Sequence, residues 1–446
     1  MSTPPISEEP AAQPPASFPS FAHALNVWHR GAAWILGPLL VGLMAVALAL
    51  GSERASRFNT QMVHDFPLAP LLFMPAGFVL LAYLANRFVP GSQGSGIPQT
   101  IAAINAVGGG KKSKLLSLRI AAGKSLLTLG GLAIGASIGR EGPTVQIGAS
   151  IMHAFHGRGP LQGEQARRTL ILAGGAAGIA AAFNTPLAGI MFAIEELSKE
   201  HVFKANSSTL VTVIVSGLIS LAALGNYTYF GSTGASLDWR HSVWAILLCG
   251  LIGGAAGGAF SRLLITATFQ LPVGLASLTQ RHRLAYAALC GLAIALLGIY
   301  TDGHIFGTGY QSTRMTLENS GTLPWYFGVA KMAATLLSSM SGISGGIFAP
   351  SLAVGAGIGD NLAVLFPSLA NHSAVVLLVM AAYLAGVTRA PVTSFIIMME
   401  MTDSHQMLLP LMTAAVVANA ISKHICPTPL YHKLAEKFSG LPVRFQ

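Results

Sequence analysis

Three short segments of the sequence interrupt apolar stretches with glycine and then restart a helix with proline. They are residues 94–98 (GSGIP), 139–143 (GREGP) and 345–350 (GGIFAP). Proline is tolerated in the first turn of a helix, because the amide hydrogen that it lacks would have had no partner there. The three segments therefore predict three helix N-termini that lie within long apolar regions.

The chemistry that helix N-termini offer is anion binding. Each one has unpaired N–H groups and roughly half a positive charge, which can hold an anion and still release it, as conduction requires. Ser95 lies between two glycines and can bring its hydroxyl to an ion, while Ile347 and Phe348 can present backbone N–H groups behind water-excluding side chains. One such break alone more often marks a packing kink, but three of the same form favour an anion site.

Glu141 is the acidic residue within these segments. An ionised carboxylate is itself an anion and can occupy an anion site, whereas protonation removes its charge and lets another anion enter. Burial and nearby helix N-termini act in opposite directions on a carboxyl group, and their balance can leave it titratable near working pH. The alternative is a carboxylate that only caps the start of a helix. The adjacent glycine and the apolar runs on both sides favour the first interpretation.

The elements that position these segments are predicted to be membrane helices. Of 446 residues, 52% are hydrophobic and only 9% are charged, whereas soluble proteins carry about 25% charged residues. Apolar runs such as residues 34–50, 71–85, 210–224, 243–260 and 375–385 therefore indicate membrane spans rather than buried core helices. Because the runs are continuous instead of alternating, they favour helices over barrel strands. We predict an all-α integral membrane protein with many tilted and discontinuous helices.

Charge and cysteine content exclude several other classes. The formal net charge is +10, and the basic residues cluster in short polar segments, as the positive-inside topology of membrane proteins predicts. This charge could also attract anions. No basic stripe lies on a soluble domain, so no nucleic acid partner is expected. Cys249, Cys290 and Cys426 are scattered and predict neither a metal site nor a disulfide framework.

The sequence divides into three parts. Residues 1–25 are rich in Pro, Ser and Glu and are predicted to be a disordered tail, residues 26–435 a transmembrane domain, and residues 436–446 a short C-terminal tail. The first apolar run starts too far along the chain for a cleaved signal peptide. Within the domain we predict two halves, about 31–225 and 240–430, because broken helices in both are typical of inverted-repeat transporters. The repeat is inferred from the breaks, not from sequence identity.

The broken segments also carry a family resemblance. Residues 94–98, 139–143 and 346–350 resemble the GSGIP, GREGP and GIFAP signatures of the CLC chloride channel and transporter family, in the family's order. Tyr431, in a Pro-Leu-Tyr sequence, resembles the family's anion-coordinating tyrosine. The likeness spans about residues 30–435 and fits the prokaryotic-type branch without cytoplasmic CBS domains. It implies a CLC-like homodimer with one anion pathway per subunit, in the inner (plasma) membrane with both termini cytoplasmic.

The resemblance also implies a role for each residue at the breaks. Ser95 and Tyr431 would give hydroxyls to the central chloride, and Ile347 and Phe348 would give backbone N–H groups. Glu141 would be the gating glutamate. Chloride and protons would be the substrates, the lipid bilayer would be the surroundings, and neither a metal, a cofactor nor enzymatic activity is expected.

A second acidic residue bears on whether the protein is a channel or an antiporter. Aligned from Asn184, Glu196 matches the family's internal proton-transfer glutamate, which transporters usually have and channels usually lack. Taken alone, Glu195 and Glu196 could be two interfacial acids that end a membrane helix. Together with Glu141, Glu196 favours a chloride/proton antiporter, and a gated chloride channel of the same fold is the alternative. Ser95, where nitrate-preferring members tend to have proline, favours chloride.

Three further residues and one further motif have weaker interpretations. Gln99 stands where many relatives carry glutamate, which removes an acid near the inner vestibule. Glu400 is predicted to be a structural buried acid, and Lys124 a buried lysine with a polar partner that adds a positive field near the pathway. A hypothesis from another class, an intramembrane serine protease, uses the GxSG pattern at 342–345 with a histidine base such as His372.

Overall fold

The computed structural model describes residues 21–439 with the exception of residues 107–113, 158–160, 199–206, 226–229, 232, 234, 236, 238–241, 319, 322 and 369. Most of the predicted N-terminal tail and the last seven residues of the chain therefore lie outside the described part. The described residues form α-helices joined by turns, with two isolated β-bridges between glycine-rich segments. The predicted all-α fold is confirmed.

Within the described residues, eight helices precede the polar stretch in the middle of the chain and ten follow it. They are α1 (Phe21–Asp65), α2 (Pro70–Phe88), α3 (Ile97–Ile104), α4 (Leu118–Ala133), α5 (Glu141–His153), α6 (Gly163–Phe183), α7 (Pro186–Phe192) and α8 (Ser207–Leu224). A π-helical turn, Ala193–Leu197, continues α7.

Ten helices follow that stretch. They are α9 (Val243–Phe269), α10 (Val273–Arg281), α11 (Arg283–Tyr300), α12 (Tyr310–Leu317), α13 (Phe327–Met340), α14 (Phe348–Leu365), α15 (His372–Thr388), α16 (Pro391–Thr402), α17 (Leu408–Ile425) and α18 (Leu430–Ser439). The helices predicted to restart at the three breaks are α3, α5 and α14, and each has proline within its first three residues.

Six helical segments among the described residues are long and apolar enough to cross a membrane, and they belong to α1, α2, α9, α11, α14 and α17. The chain is therefore a multi-pass membrane protein. The apolar run at 375–385 is different, because every residue of α15 from Ala374 to Thr388 is buried within the protein. Protein rather than lipid therefore surrounds this run, and its crossing of the membrane stays a prediction, because hydropathy alone does not distinguish lipid from protein as the apolar surroundings.

The two parts of the chain use the same turn to enter a short helix. Gly94 and Gly96 precede α3 with φ angles of 68° and 106°, and Gly307 and Gly309 precede α12 with φ angles of 63° and 80°. Glycine is the residue that adopts such angles without a steric penalty. The sequences GSGIP and GTGYQ therefore build one type of turn with different side chains.

A buried lysine fastens each of these turns. The Nζ atom of Lys124, on α4, donates to two carbonyl oxygens of the turn before α3, at 2.8 and 2.9 Å. The Nζ atom of Lys331, on α13, donates to two carbonyl oxygens of the turn before α12, both at 2.7 Å. Both lysines are fully buried, so these bonds compensate for the lost hydration. The polar partner predicted for Lys124 is confirmed, and the repeat is visible in the bonding pattern.

Two acidic residues join α7 and α16, each linking the end of one helix to the start of the other. Glu195, in the π-helical turn after α7, accepts hydrogen bonds from the N–H groups of Val392 (3.1 Å) and Thr393 (2.7 Å) at the start of α16. Glu400, near the end of α16, accepts two N–H groups at the start of α7, at 3.2 and 2.8 Å. Because the end of each helix meets the start of the other, α7 and α16 are antiparallel, as an inverted repeat requires.

Candidate functional site

The three broken segments meet and are joined through their backbones. Gly94 N–H donates to the carbonyl of Ile343 (2.8 Å), and Gly345 N–H donates back to the carbonyl of Gly94 (3.1 Å). Gly139 and Gly346 exchange a second reciprocal pair of bonds, at 2.7 and 2.8 Å. The starts of α3, α5 and α14 are therefore held together by backbone groups whose positions do not depend on side-chain rotamers.

Glycine at position 142 is required by the close approach of these segments. A Cβ atom built on Gly142 would collide with the Oγ atom of Ser95 and would lie 2.9 Å from the Ser95 carbonyl oxygen. It would also lie 3.3 Å from the Cα atom of Gly346. Ser95 thus lies against the first turn of α5, and that turn lies against the break before α14.

The N-termini of α5 and α14 receive no cap from the side chains of their own N-cap residues. Their N-cap residues, Arg140 and Ile347, make no side-chain hydrogen bond to the first turn. At α3 the side chain of Gln99 accepts a hydrogen bond from the N–H of Gly96 (3.0 Å) and donates to the carbonyl of Gly91 (3.2 Å). Gln99 is fully buried, so this departure from the family pattern is a cap that orders the turn around Ser95.

The residues predicted from the sequence to bind the anion are all brought together in the interior. Ile347 and Phe348 form the start of α14 and are buried. Ser95 is buried beside Tyr431, the second residue of α18, and the hydroxyls of these two residues have no hydrogen-bond partner of normal geometry within the described residues. Buried hydroxyls usually have a partner, so this pair is suited to an ion that accepts from both.

Glu141 is fully buried at the junction of two breaks. Its Oε2 atom lies over Gly139, where an added Cβ atom would collide with it, and the side chains of Ala349 and Pro350 border the same space. The carboxyl group therefore lies beside the first turn of α14. The predicted gate and the predicted anion ligands share one location.

Glu196 is also fully buried and lies next to Glu195 in the π-helical turn after α7. A π-helical turn has an extra residue compared with an α-helical turn, and such turns are frequent at functional sites. In the turn Ala193–Leu197, Glu195 bonds to the start of α16 whereas Glu196 points into the protein. The Nδ1 atom of His432 lies 3.4 Å from the Oε1 atom of Glu196.

Tyr431 lies near both acidic residues, Glu141 and Glu196. The ring of Phe348 packs against the rings of Phe183 (centroids 5.8 Å apart) and Phe192 (6.2 Å), the last residue of α7 before the π-helical turn. An apolar aromatic wall thus connects the start of α14 with the end of α7, next to the turn that carries Glu196.

His432 was not found by sequence reasoning. It directly follows Tyr431, and this adjacency to an anticipated ligand was the available signal. Its partner is 236 positions away along the chain, the difference between 432 and 196, so only the fold shows the contact.

The protease hypothesis receives no support from the geometry. Ser344 has its hydroxyl 3.3 Å from that of Thr128, and its backbone is part of a bridge to Gly94. His372, the proposed base, is bonded to Asp360 at 2.8 Å. Neither arrangement supplies a serine with a general base.

Comparison with known proteins identifies the family. A family model described as "Voltage gated chloride channel" matches residues 76–423. The H(+)/Cl(-) exchange transporter ClcA of Yersinia pseudotuberculosis is 30% identical over 421 residues, which cover 88% of this chain and 84% of the relative. The ClcA protein of Salmonella agona is 30% identical over 380 residues, covering 82% and 79%.

Two solved structures have the same architecture. A slow cyanobacterial Cl-/H+ antiporter superimposes with a TM-score of 0.78 at 25% identity, covering 92% of this chain and 97% of that one. A CLC-type fluoride/proton antiporter superimposes with a TM-score of 0.76 at 26% identity, covering 91% and 97%. The broken helices, their order and these matches together show that the chain belongs to the CLC family of chloride channels and transporters.

Proposed function

We propose that this protein is a chloride/proton antiporter that moves the two ions in opposite directions through the site described above. The observation that carries the proposal is the presence of two fully buried carboxyl groups: Glu141 lies beside the predicted anion ligands at the start of α14, and Glu196 contacts His432, the residue after Tyr431. One site can then serve both ions. The relatives named as H(+)/Cl(-) exchange transporters, which align over most of this chain, support the same function.

Chloride would bind where the breaks meet. Ser95 and Tyr431 would donate their hydroxyls, and Ile347 and Phe348 would donate backbone N–H groups. Helix N-termini supply partial positive charge without a fixed cation. An ion held in this way can still leave, which rapid transport requires.

Glu141 would be the gate. When ionised it competes with chloride for the N-termini of α5 and α14, and when protonated it is released and chloride enters. A single side chain would therefore convert proton binding into access for the anion. This exclusion of one substrate by the acceptor of the other is what makes the exchange obligatory.

Glu196 would transfer the proton between Glu141 and the opposite side of the membrane. Its burial next to the wall of Phe348, Phe183 and Phe192 supports a proton route that shares Tyr431 with the anion route and then diverges from it. A gated chloride channel of the same fold remains the second candidate, and the burial of a carboxyl group at this position favours the antiporter.

Reconstitution into liposomes tests the proposal directly. A chloride gradient should drive protons uphill in the opposite direction, and collapse of the membrane potential with valinomycin and potassium should not stop this movement. Chloride flux without any proton movement would identify a channel instead. Empty liposomes and liposomes with the Glu141→Gln variant provide the background.

We also infer a homodimer in the inner membrane with both termini cytoplasmic. Leu218 of α8 and Leu409 and Val416 of α17 expose 54%, 55% and 52% of their surfaces, and an apolar face of this kind fits a second copy of the chain. Chemical cross-linking in membranes should yield a dimer. Protease accessibility of tags at each end, in intact and in opened cells, tests the orientation.

A further inference from the structure

His432 is a buried imidazole in contact with the inner carboxyl group. Its Nδ1 atom lies 3.4 Å from Oε1 of Glu196 and makes no hydrogen bond of normal geometry within the described residues. Burying a titratable side chain without a firm hydrogen bond destabilises the folded protein. Packing alone therefore does not account for a histidine at this position.

The position of His432 on α18 explains how it reaches Glu196. Tyr431 and His432 are successive residues near the start of the helix, so their side chains point about 100° apart, as the 3.6 residues per turn of an α-helix dictate. Tyr431 lies beside Ser95, whereas His432 meets Glu196. The start of α18 therefore places Tyr431 at the anion site and His432 at Glu196.

Both partners are shielded from solvent. Glu196 is 0% exposed and His432 is 2% exposed. A proton that reaches or leaves Glu196 therefore needs a neighbouring group that can carry it, and the imidazole of His432 is in contact with the carboxyl group.

The other charged groups near the pair come from the surrounding elements. The charge of Arg389, at the end of α15, reaches Glu196, although this guanidinium also donates to Asn419 (2.9 Å) and to the carbonyl of Cys426 (3.0 Å). The guanidinium of Arg262, on α9, lies near the thiol of Cys426. The helix α3, which packs against α18, contains no ionisable residue.

Further ionisable groups lie on the adjoining elements. On α18, Lys433 is bonded to Glu436 at 2.7 Å, and Lys437 lies near the like-charged Arg283. In the π-helical turn, the carboxyl group of Glu195 accepts hydrogen bonds from the start of α16. Arg389 is near enough to Glu196 for the two charges to attract each other.

We propose that His432 and Glu196 form a proton-sharing pair, in which His432 is a further residue of the proton pathway and exchanges protons with Glu196. The transfer breaks the Nδ1–H bond of an imidazolium and forms an O–H bond on the Glu196 carboxylate, which leaves both groups neutral. No other reactant is needed. This inference rests on the proposed antiport, because it assigns a role in proton movement.

The test compares proton and chloride fluxes of the wild type and the His432→Asn variant in liposomes between about pH 5 and pH 8, the range over which histidine side chains change charge. Asparagine places an N–H group near the position of Nδ1 but does not titrate. The chloride-driven proton flux should fall about tenfold or more, a modest share of what a positioned acid–base group contributes. Its pH profile should also change shape, while chloride flux persists.

His372→Asn is the matched control, because His372 is also paired with a buried acid, Asp360, away from the site. It should leave the ratio of protons to chloride unchanged, with folding of both variants verified by size-exclusion chromatography. A His432→Asn variant with wild-type proton flux at every pH would overturn the inference, since a hydrogen-bond donor alone would then suffice.

The wild-type measurement separates the two levels of the argument. If the wild type moves no protons against a chloride gradient, the antiport and the proton-sharing pair fall together. If the wild type couples the ions and His432→Asn couples them equally well, only the pair falls. Loss of both fluxes in a folded His432→Asn protein would also contradict the pair, because it would place His432 in the anion path.

Discussion

The breaks before α5 and α14 are the same structure with different chemistry. Gly139 and Gly346 occupy equivalent positions and bond to each other reciprocally, and a proline follows four residues later in each segment. Yet the residue that starts the helix is Glu141 in one and Phe348 in the other. The repeat thus provides a symmetric frame of helix starts, and function depends on the positions where the symmetry is broken.

The same contrast applies to the ends of α7 and α16. Glu195 and Glu400 perform equivalent caps, but only α7 continues into a π-helical turn that carries an additional buried acid, Glu196. The helix α18 follows both sets of repeated helices and adds Tyr431 and His432. Substitutions at positions that the two halves share, such as Glu400, should therefore affect stability. Substitutions at positions without an equivalent in the other half, such as Glu196, should affect transport.

The largest effect is expected for Glu141→Gln. The amide mimics the protonated carboxyl group permanently, so the gate should stay out of the anion site. Chloride should then pass with proton movement reduced to background. Simultaneous recording of both fluxes in liposomes checks this. Proton uptake equal to that of the wild type would show that Glu141 has a structural role and is not the gate.

Glu196→Gln should abolish proton transport and keep chloride transport. The side chain is fully buried in the π-helical turn after α7, where it contacts His432 at 3.4 Å. The same flux assay checks the expectation. Loss of chloride flux together with proton flux, in a protein that still elutes as a folded species, would move Glu196 into the anion path.

Tyr431→Ala should weaken chloride binding by about ten- to a hundredfold. Losing a hydrogen bond to a charged group costs about 1.5–3 kcal/mol, and each 1.4 kcal/mol corresponds to about a factor of ten in affinity. Water that fills the gap should place the result near the lower end. Calorimetric titration with chloride measures it, whereas unchanged affinity with a lower melting temperature would indicate an interfacial anchor.

Ser95→Pro should raise the preference for nitrate over chloride by about tenfold, since the loss of one hydroxyl donor has a similar cost. Chloride relies on each donor, while nitrate spreads its charge over three oxygens. Competition flux assays with the two anions give the ratio. Gln99→Ala provides a comparison, because it loosens the same turn without removing an ion ligand.

The smallest effect, and one confined to stability, is expected for Glu400→Ala. Removing a capping side chain costs about 0.5–2 kcal/mol, and here two N–H groups of α7 lose their acceptor. The melting temperature should fall while the number of protons moved per chloride stays constant. A changed ratio would show that the caps are part of the transport machinery.

Much of the frame could be predicted because its signals are local. Proline in the first turn after glycine marks a helix start, and α3, α5 and α14 begin at Ile97, Glu141 and Phe348. The convergence of those starts, and the role of Gln99 as a cap, depend on contacts between segments and were accessible only through the family resemblance or the fold.

Other features could not be predicted for the same physical reason. Hydropathy reports that α15 avoids water but not whether lipid or protein surrounds it. The caps of Glu195 and Glu400 each join residues about two hundred positions apart. The π-helical turn in which Glu195 and Glu196 point in different directions has no sequence signature comparable to proline or glycine.

The reciprocal backbone bonds at the centre restrict the mechanics of the cycle. Four hydrogen bonds join the breaks of the two halves, two between Gly139 and Gly346 and two at Gly94. At about 0.5–1.5 kcal/mol for each bond, separating the halves would cost about 2–6 kcal/mol, which lowers the population of a separated state by roughly thirty- to twenty-thousandfold. A large rocking motion of one half against the other is therefore disfavoured. The simplest transport cycle that the fold allows keeps the helices in place and moves the side chain of Glu141.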